Sequence, residues 1–139
     1  EVATVLLNWA SVIEKKGAMH GSLEGCLSSL MARRRVYGDH SLLVAEARNN
    51  LAIVLWKIGG EEALEIAEQQ LDGAMFVKTQ ALDEAPSVAI GNTRMGKGNV
   101  YFSMLNRESA VEQYEEALRN YVLSLGMESL ETSHVHNNL

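Results

Sequence analysis

The chain has 139 residues, room for one domain with a hydrophobic core, and 47% of its residues are hydrophobic and 22% charged. This composition does not match a disordered chain, and a single proline with few Phe and Trp residues favours long helices over short strands. The net charge of −6 argues against nucleic acid or an anionic membrane as the main partner. No apolar run reaches the length of a membrane span, so we expect no membrane insertion.

Helix-forming segments alternate with short polar breaks along the whole chain. They are predicted to cover about residues 2–16, 20–37, 42–58, 61–82, 87–104 and 108–125, with a last helix that begins near Ser129. Glycines follow several of these helices, at the position where glycine is a common cap. Asp39 and Ser41 are both available as the N-cap of the third helix, and Pro86 suits the first turn of the fifth.

A 14-residue phrase occurs twice. Residues 38–51 and 126–139 each begin with Gly and end in Asn-Asn-Leu, and a fainter copy lies 42 residues before the first of them. Small residues at Ala10, Ala52 and Gly98 recur at spacings of 42 and 46, and the four extra residues are about one helical turn. Self-similarity of this period predicts an array of stacked helical hairpins. We expect a fragment of a longer array, with units at about residues 1–40, 41–84 and 85–127 and the first helix of a fourth at 128–139.

Two stretches carry a family resemblance. Residues 98–102, Gly-Asn-Val-Tyr-Phe, are followed by Ala110, Tyr114 and Ala117, and residues 49–52 read Asn-Asn-Leu-Ala. The chain therefore resembles the tetratricopeptide repeat (TPR) superfamily, and in particular the 42-residue repeats of kinesin light chains. The resemblance implies an all-α fold in which antiparallel helix hairpins form a right-handed superhelix, an α-solenoid. It also implies a cytoplasmic protein, and the likeness to kinesin light chains implies an association with the cytoskeleton.

In TPR arrays the first helix of each hairpin lines the concave surface, and residues at i, i+3, i+7 and i+11 share one face of such a helix. An Asn amide both donates and accepts, so a row of Asn side chains can pair with the backbone of an extended peptide, and Ile53, Met95 and Phe102 can supply apolar pockets. The alternative is that the Asn side chains bridge neighbouring helices. The predicted peptide-binding residues are Asn8, Ser11, Lys15, Glu46, Asn49, Asn50, Ile53, Lys57, Asn92, Met95, Asn99 and Ser103.

The sequence thus predicts a protein–protein interaction module that captures an extended or helical segment of a protein partner, as a scaffold or adaptor. The alternative is a structural rib or spacer that docks by its convex side and edges. Self-association through the cut ends of the array is a further expectation. Because Cys26 is the only cysteine and no His pairs with a nucleophile and a carboxylate, we expect no enzyme, no metal site and no cofactor.

Two segments suggest other chemistry. Residues 91–98 fit the Gly-x4-Gly-Lys pattern of a phosphate-binding loop until Gly98 replaces the Ser or Thr that holds magnesium, and no buried strand precedes them. We interpret their glycines as close-packing positions. Residues 33–35 are three consecutive arginines, which complement the dipole at the end of a helix or, alternatively, meet an acidic partner.

Overall fold

The structure is a computed structural model and describes residues 20–83, 85–126 and 130–139. Within them it contains only helices, which confirms the predicted all-α class. The helices are α1 (His20–Tyr37), α2 (Leu42–Ile58), α3 (Glu61–Ala81), α4 (Val88–Ser103), α5 (Arg107–Leu125) and α6 (Leu130–Asn138). Their ends lie within one residue of the predicted ones. The first predicted helix, with Asn8, Ser11 and Lys15, lies outside the described residues.

Side-chain caps explain where the helices begin. Ser41 is the N-cap of α2 and accepts a hydrogen bond from the Leu43 amide at 3.1 Å, which selects it over Asp39. Ser87 caps α4 in the same way, accepting from the Ile90 amide at 3.0 Å. Pro86 therefore precedes the cap and does not stand in the first turn of α4, as the sequence had suggested, because Ser87 keeps an extended backbone.

Helices that follow one another from α2 to α5 run antiparallel. Along α3 and α4, Lys78 contacts Thr93 while Asp72 pairs with Lys97, so that residue numbers rise on one helix as they fall on the other. Between α4 and α5, positions 91 and 98 face Tyr121 and Tyr114 in the same reversed order. The pairs α2/α3 and α4/α5 thus form hairpins, as predicted, while the first predicted hairpin includes residues outside the described ones.

Helices α2 and α4 lie side by side and run parallel. Asn49 of α2 pairs with Thr93 of α4, and further along both helices the indole of Trp56 donates to the hydroxyl of Ser103 at 2.9 Å. This arrangement follows from the hairpins, because both helices are antiparallel to α3, which lies between them in sequence. It brings the predicted Asn-bearing faces of two units next to each other.

The main core lies between α1, α2 and α3, includes Val100 of α4, and its buried side chains are aliphatic. Leu23, Leu51, Leu55 and Leu71 are fully buried within it. A second core joins α5, α4 and α6 around Ala117, two tyrosines and Val135. Burial of these apolar side chains is the main source of the stability that holds the α2 and α4 faces in register.

Candidate functional site

The α2/α4 groove is formed by two adjoining cavities on the surface that α2 and α4 share. The larger has a volume of about 300 Å³ and the smaller about 150 Å³. The larger is lined by Asn49, Asn50, Ile53, Asn92, Met95, Gly96, Asn99, Tyr121 and His134. The smaller is lined by Ala52, Ile53, Trp56, Leu71, Gly96 and Asn99. Ile53, Gly96 and Asn99 belong to both, so the two cavities adjoin.

Six of the predicted binding residues line this groove, and three described ones do not. The six are Asn49, Asn50, Ile53, Asn92, Met95 and Asn99. Glu46 is exposed and approaches Arg33 of α1 at 3.9 Å, Lys57 is exposed on the last turn of α2, and Ser103 accepts the Trp56 hydrogen bond. The i+11 positions miss the groove because 11 residues advance about 16 Å along a helix, to its end. Phe102 is likewise absent from the lining and points to solvent.

Two Gly-Asn pairs on α4 each receive a tyrosine from α5. A Cβ atom at Gly91 would lie 2.6 Å from the ring of Tyr121, and one at Gly98 would lie 2.5 Å from the ring of Tyr114, so only glycine admits the rings. The Tyr121 hydroxyl donates to Oδ1 of Asn92 at 2.6 Å, the residue after the first glycine. The rings therefore reach across α4 to the side that faces the groove.

The second Gly-Asn pair repeats this geometry seven residues later. The Tyr114 hydroxyl donates to Oδ1 of Asn99, also at 2.6 Å, and burial raises the pKa of Tyr114. The expectation that Asn side chains bridge helices is thus fulfilled, but it does not exclude a groove role. Each bridge uses the amide oxygen, and the amide nitrogen is a separate group.

A hydrogen-bond chain below the groove fixes Asn49. Lys78 of α3 is 4% exposed, and its Nζ donates to the Ala89 carbonyl at 3.0 Å and to Thr93 Oγ1 at 2.7 Å. The Thr93 hydroxyl in turn donates to Oδ1 of Asn49 at 2.8 Å. Burial lowers the pKa of Lys78 to about 8, and the negative charge of Glu46 opposes this shift.

The glycine-rich segment 91–98 is part of α4 and not a loop. Gly91 and Gly98 admit the tyrosine rings, while a Cβ at Gly96 would lie 3.1 Å from Leu71. Lys97 forms an ion pair with Asp72 of α3 at 2.8 Å. Helix packing therefore explains every residue of the pattern that suggested a phosphate-binding loop, and the close-packing interpretation is the one the geometry favours.

The arginine run is mostly bound within the chain. Arg33 donates to the Leu43 carbonyl at 2.9 Å, and Arg34 pairs with Asp39 at 2.5 Å, while Arg35 is exposed. The hydrogen bond from Arg34 lowers the pKa of Asp39. These contacts tie α1 to the start of α2. Cys26 packs half-buried against the main core, and burial raises its pKa, which disfavours the reactive thiolate.

The groove lining includes no Asp, Glu, Lys or Arg side chain. Among the residues that the structure describes, no three His, Cys, Asp or Glu side chains are grouped so that they could hold a metal ion. Nor does any helix in residues 20–83, 85–126 or 130–139 have the length and apolar character needed to cross a bilayer. The site therefore offers amides and apolar surface.

Sequence reasoning did not assign six of the groove residues to the site: Ala52, Trp56, Leu71, Gly96, Tyr121 and His134. The sequence does contain a signal for Tyr121: Tyr114 and Tyr121 are seven residues apart, and so are the two Gly-Asn pairs of α4. Equal spacing on two antiparallel helices indicates paired contacts. Trp56 and Leu71 carry no comparable signal, because apolar residues on α2 and α3 are equally expected in the core.

Comparison of the chain with models of protein families, with curated proteins and with solved structures finds no match.

Proposed function

We propose that this chain is a TPR-like protein-interaction module that binds an extended segment of a partner protein in the α2/α4 groove. The observation that carries the proposal is that Asn and apolar side chains expected on separate units line the same two adjoining cavities. Its mixture of amides and aliphatic surface suits a polypeptide, whose backbone needs hydrogen bonds while its side chains need pockets. The right-handed superhelix and the likeness to kinesin light chains belong to this proposal.

A groove substitution with a matched control tests the proposal. Ile53 and Val111 are both β-branched residues on helices, 38% and 44% exposed, but only Ile53 lines the groove. Peptides selected from a random display library on the wild-type chain are titrated against Ile53→Arg and Val111→Arg. We expect Ile53→Arg to weaken binding about tenfold or more, because it places a charge in a groove lined by no Asp, Glu, Lys or Arg side chain, and Val111→Arg to leave binding unchanged.

Equal binding of the selected peptides to both variants, with both folded by circular dichroism, would contradict the proposal. The same holds if the wild-type chain selects no peptide at all.

A structural rib is the second candidate, and the turn between α4 and α5 favours it. Leu105 there is 85% exposed with a φ of +64°, and Phe102 next to it is 55% exposed. A large apolar side chain in a left-handed backbone conformation is costly for a turn in water. These two exposed apolar residues at the turn between α4 and α5 suit docking against another surface. Leu105→Asn should weaken an edge contact and leave groove binding intact, which separates the two candidates.

A further inference from the structure

The fixed polar groups of the groove are hydrogen-bond donors. Asn49, Asn92 and Asn99 each have Oδ1 occupied by a hydroxyl, from Thr93, Tyr121 and Tyr114 respectively. Within the described part of the chain, their Nδ2 groups donate to no protein acceptor. The hydroxyls thus hold the oxygens inward, and the amide N–H groups remain for an occupant. Such an occupant must supply acceptors.

The spacing of these donors indicates the conformation of the occupant. Asn92 and Asn99 are seven residues apart on α4, which corresponds to about 10.5 Å along the helix axis. Carbonyls on one face of a polyproline II helix recur every three residues, about 9.3 Å. Those on one face of a β-strand recur at about 6.7 Å or 13.4 Å. An α-helical occupant has its carbonyls bonded internally. Polyproline II is therefore the closest match.

We propose that the groove binds a proline-rich segment in the polyproline II conformation. This inference rests on the proposed function and specifies its partner. Proline has a carbonyl acceptor but no N–H, so it satisfies a row of donors without requiring acceptors in return. Other extended segments would leave some of their N–H groups without a partner against the same surface, which is costly on burial.

The apolar part of the groove suits the same occupant. The smaller cavity, about 150 Å³, has Trp56 and Ile53 in its wall. The indole of Trp56 is held in place by its hydrogen bond to Ser103. An anchored aromatic ring beside aliphatic walls is the kind of surface on which proline-rich ligands dock. Since the lining contains no Asp, Glu, Lys or Arg, it offers no counter-ion to a strongly charged segment.

The test compares labelled peptides by fluorescence anisotropy. The probes are a peptide of about 18 prolines, a length-matched alternating Ser-Thr peptide and a length-matched Ala-rich peptide, long enough to be helical in water. We expect the proline peptide to bind the wild-type chain about tenfold more tightly than either of the others. In wild-type protein, the side-chain amide NMR signals of Asn92 and Asn99 should shift on its addition.

A polarity reversal shows whether the amide N–H groups are responsible. Asn99→Asp keeps an oxygen for Tyr114 but replaces the outward donor by an acceptor, so it should weaken binding of the proline peptide about tenfold. Asn92→Asp makes the same exchange on a more exposed residue. Asn106→Asp is the control, since it adds the same charge at the N-cap of α5, where a carboxylate also caps.

The outcomes separate the inference from the proposed function. If the Ser-Thr or helical peptide binds as tightly as the proline peptide and binding is lost in Ile53→Arg, the inference is wrong and the groove still binds peptides. If the Asn→Asp variants bind the proline peptide as well as the Asn106→Asp control does, donor recognition is wrong. If no peptide binds and display selection also fails, both are wrong.

Discussion

The two hairpins that flank the groove pack different kinds of side chain. The α2/α3 hairpin packs aliphatic side chains such as Leu51 and Leu71 against each other. Its polar residue Asn49 lines the groove and accepts a hydrogen bond from Thr93 of α4. The α4/α5 hairpin instead packs tyrosine rings onto glycines. The stability of the α2/α3 hairpin depends on filling its core with side-chain volume. The stability of the α4/α5 hairpin depends on how closely the two backbones approach. Both arrangements nonetheless fix the amide oxygen of an Asn that lines the groove.

The largest effect is expected in the aliphatic hairpin. Leu51 is fully buried in the main core. Leu51→Ala should lower the free energy of unfolding by about 3 kcal/mol, because it removes buried methyl groups and leaves a cavity. Chemical denaturation measures the change. Leu123→Ala is the control, since Leu123 is 60% exposed on α5. Similar losses in both variants would show that the α2/α3 core is loosely packed.

The α4/α5 hairpin should be destabilised by a substitution that adds volume at a glycine. Gly98→Ala should lower the free energy of unfolding by about 2.5 kcal/mol, since its Cβ would lie 2.5 Å from the Tyr114 ring. Gly73→Ala on α3 is the matched control. Its Cβ would meet only the flexible Arg48 side chain at 3.6 Å, so helix propensity should make it stabilising by about 0.7 kcal/mol. Equal effects would refute the close approach of α4 and α5.

The buried ammonium of Lys78 should make stability depend on pH. Its pKa is about 8 in the folded chain and 10.5 when exposed, so between these values the unfolded chain binds more protons and stability rises with pH. The free energy of unfolding should therefore increase by about 2 kcal/mol between pH 8 and 10. Tyr101, whose pKa is raised to about 12, opposes the trend above pH 10.

Replacing Lys78 isolates this contribution. The free energy of unfolding of Lys78→Met, measured by denaturation, should vary less between pH 8 and 10 than that of the wild-type chain. The reason is that the variant has no buried ammonium that loses its proton in this range. Lys57→Met, at an exposed position, should retain the wild-type slope. If the slopes of Lys78→Met and the wild-type chain agree, Lys78 is not charged and buried as described.

The helices and half of the site were predictable because they depend on local signals. Caps such as Ser41 and glycines at helix ends act within a few residues. The helical period predicts that Asn49 on α2 and Asn99 on α4 each lie on the face of their helix that lines the groove. The remaining features depend on distant partners. Trp56 meets Ser103 47 residues away, and the burial of Lys78 depends on acceptors supplied by another helix. Long basic side chains are usually exposed, so sequence alone gives no reason to bury this one.

The hydrogen-bond chain from Lys78 through Thr93 to Asn49 also bears on how the molecule unfolds. It joins α3 and α2 of one hairpin to α4 of the next. The hydrogen bond from Trp56 to Ser103 also crosses the boundary between these two hairpins. In stacked hairpin arrays, the coupling between neighbours decides whether units melt one by one or together. Hydrogen bonds across this boundary strengthen the coupling, so we expect α2 to α5 to unfold as one cooperative block whose amide hydrogens exchange with solvent together.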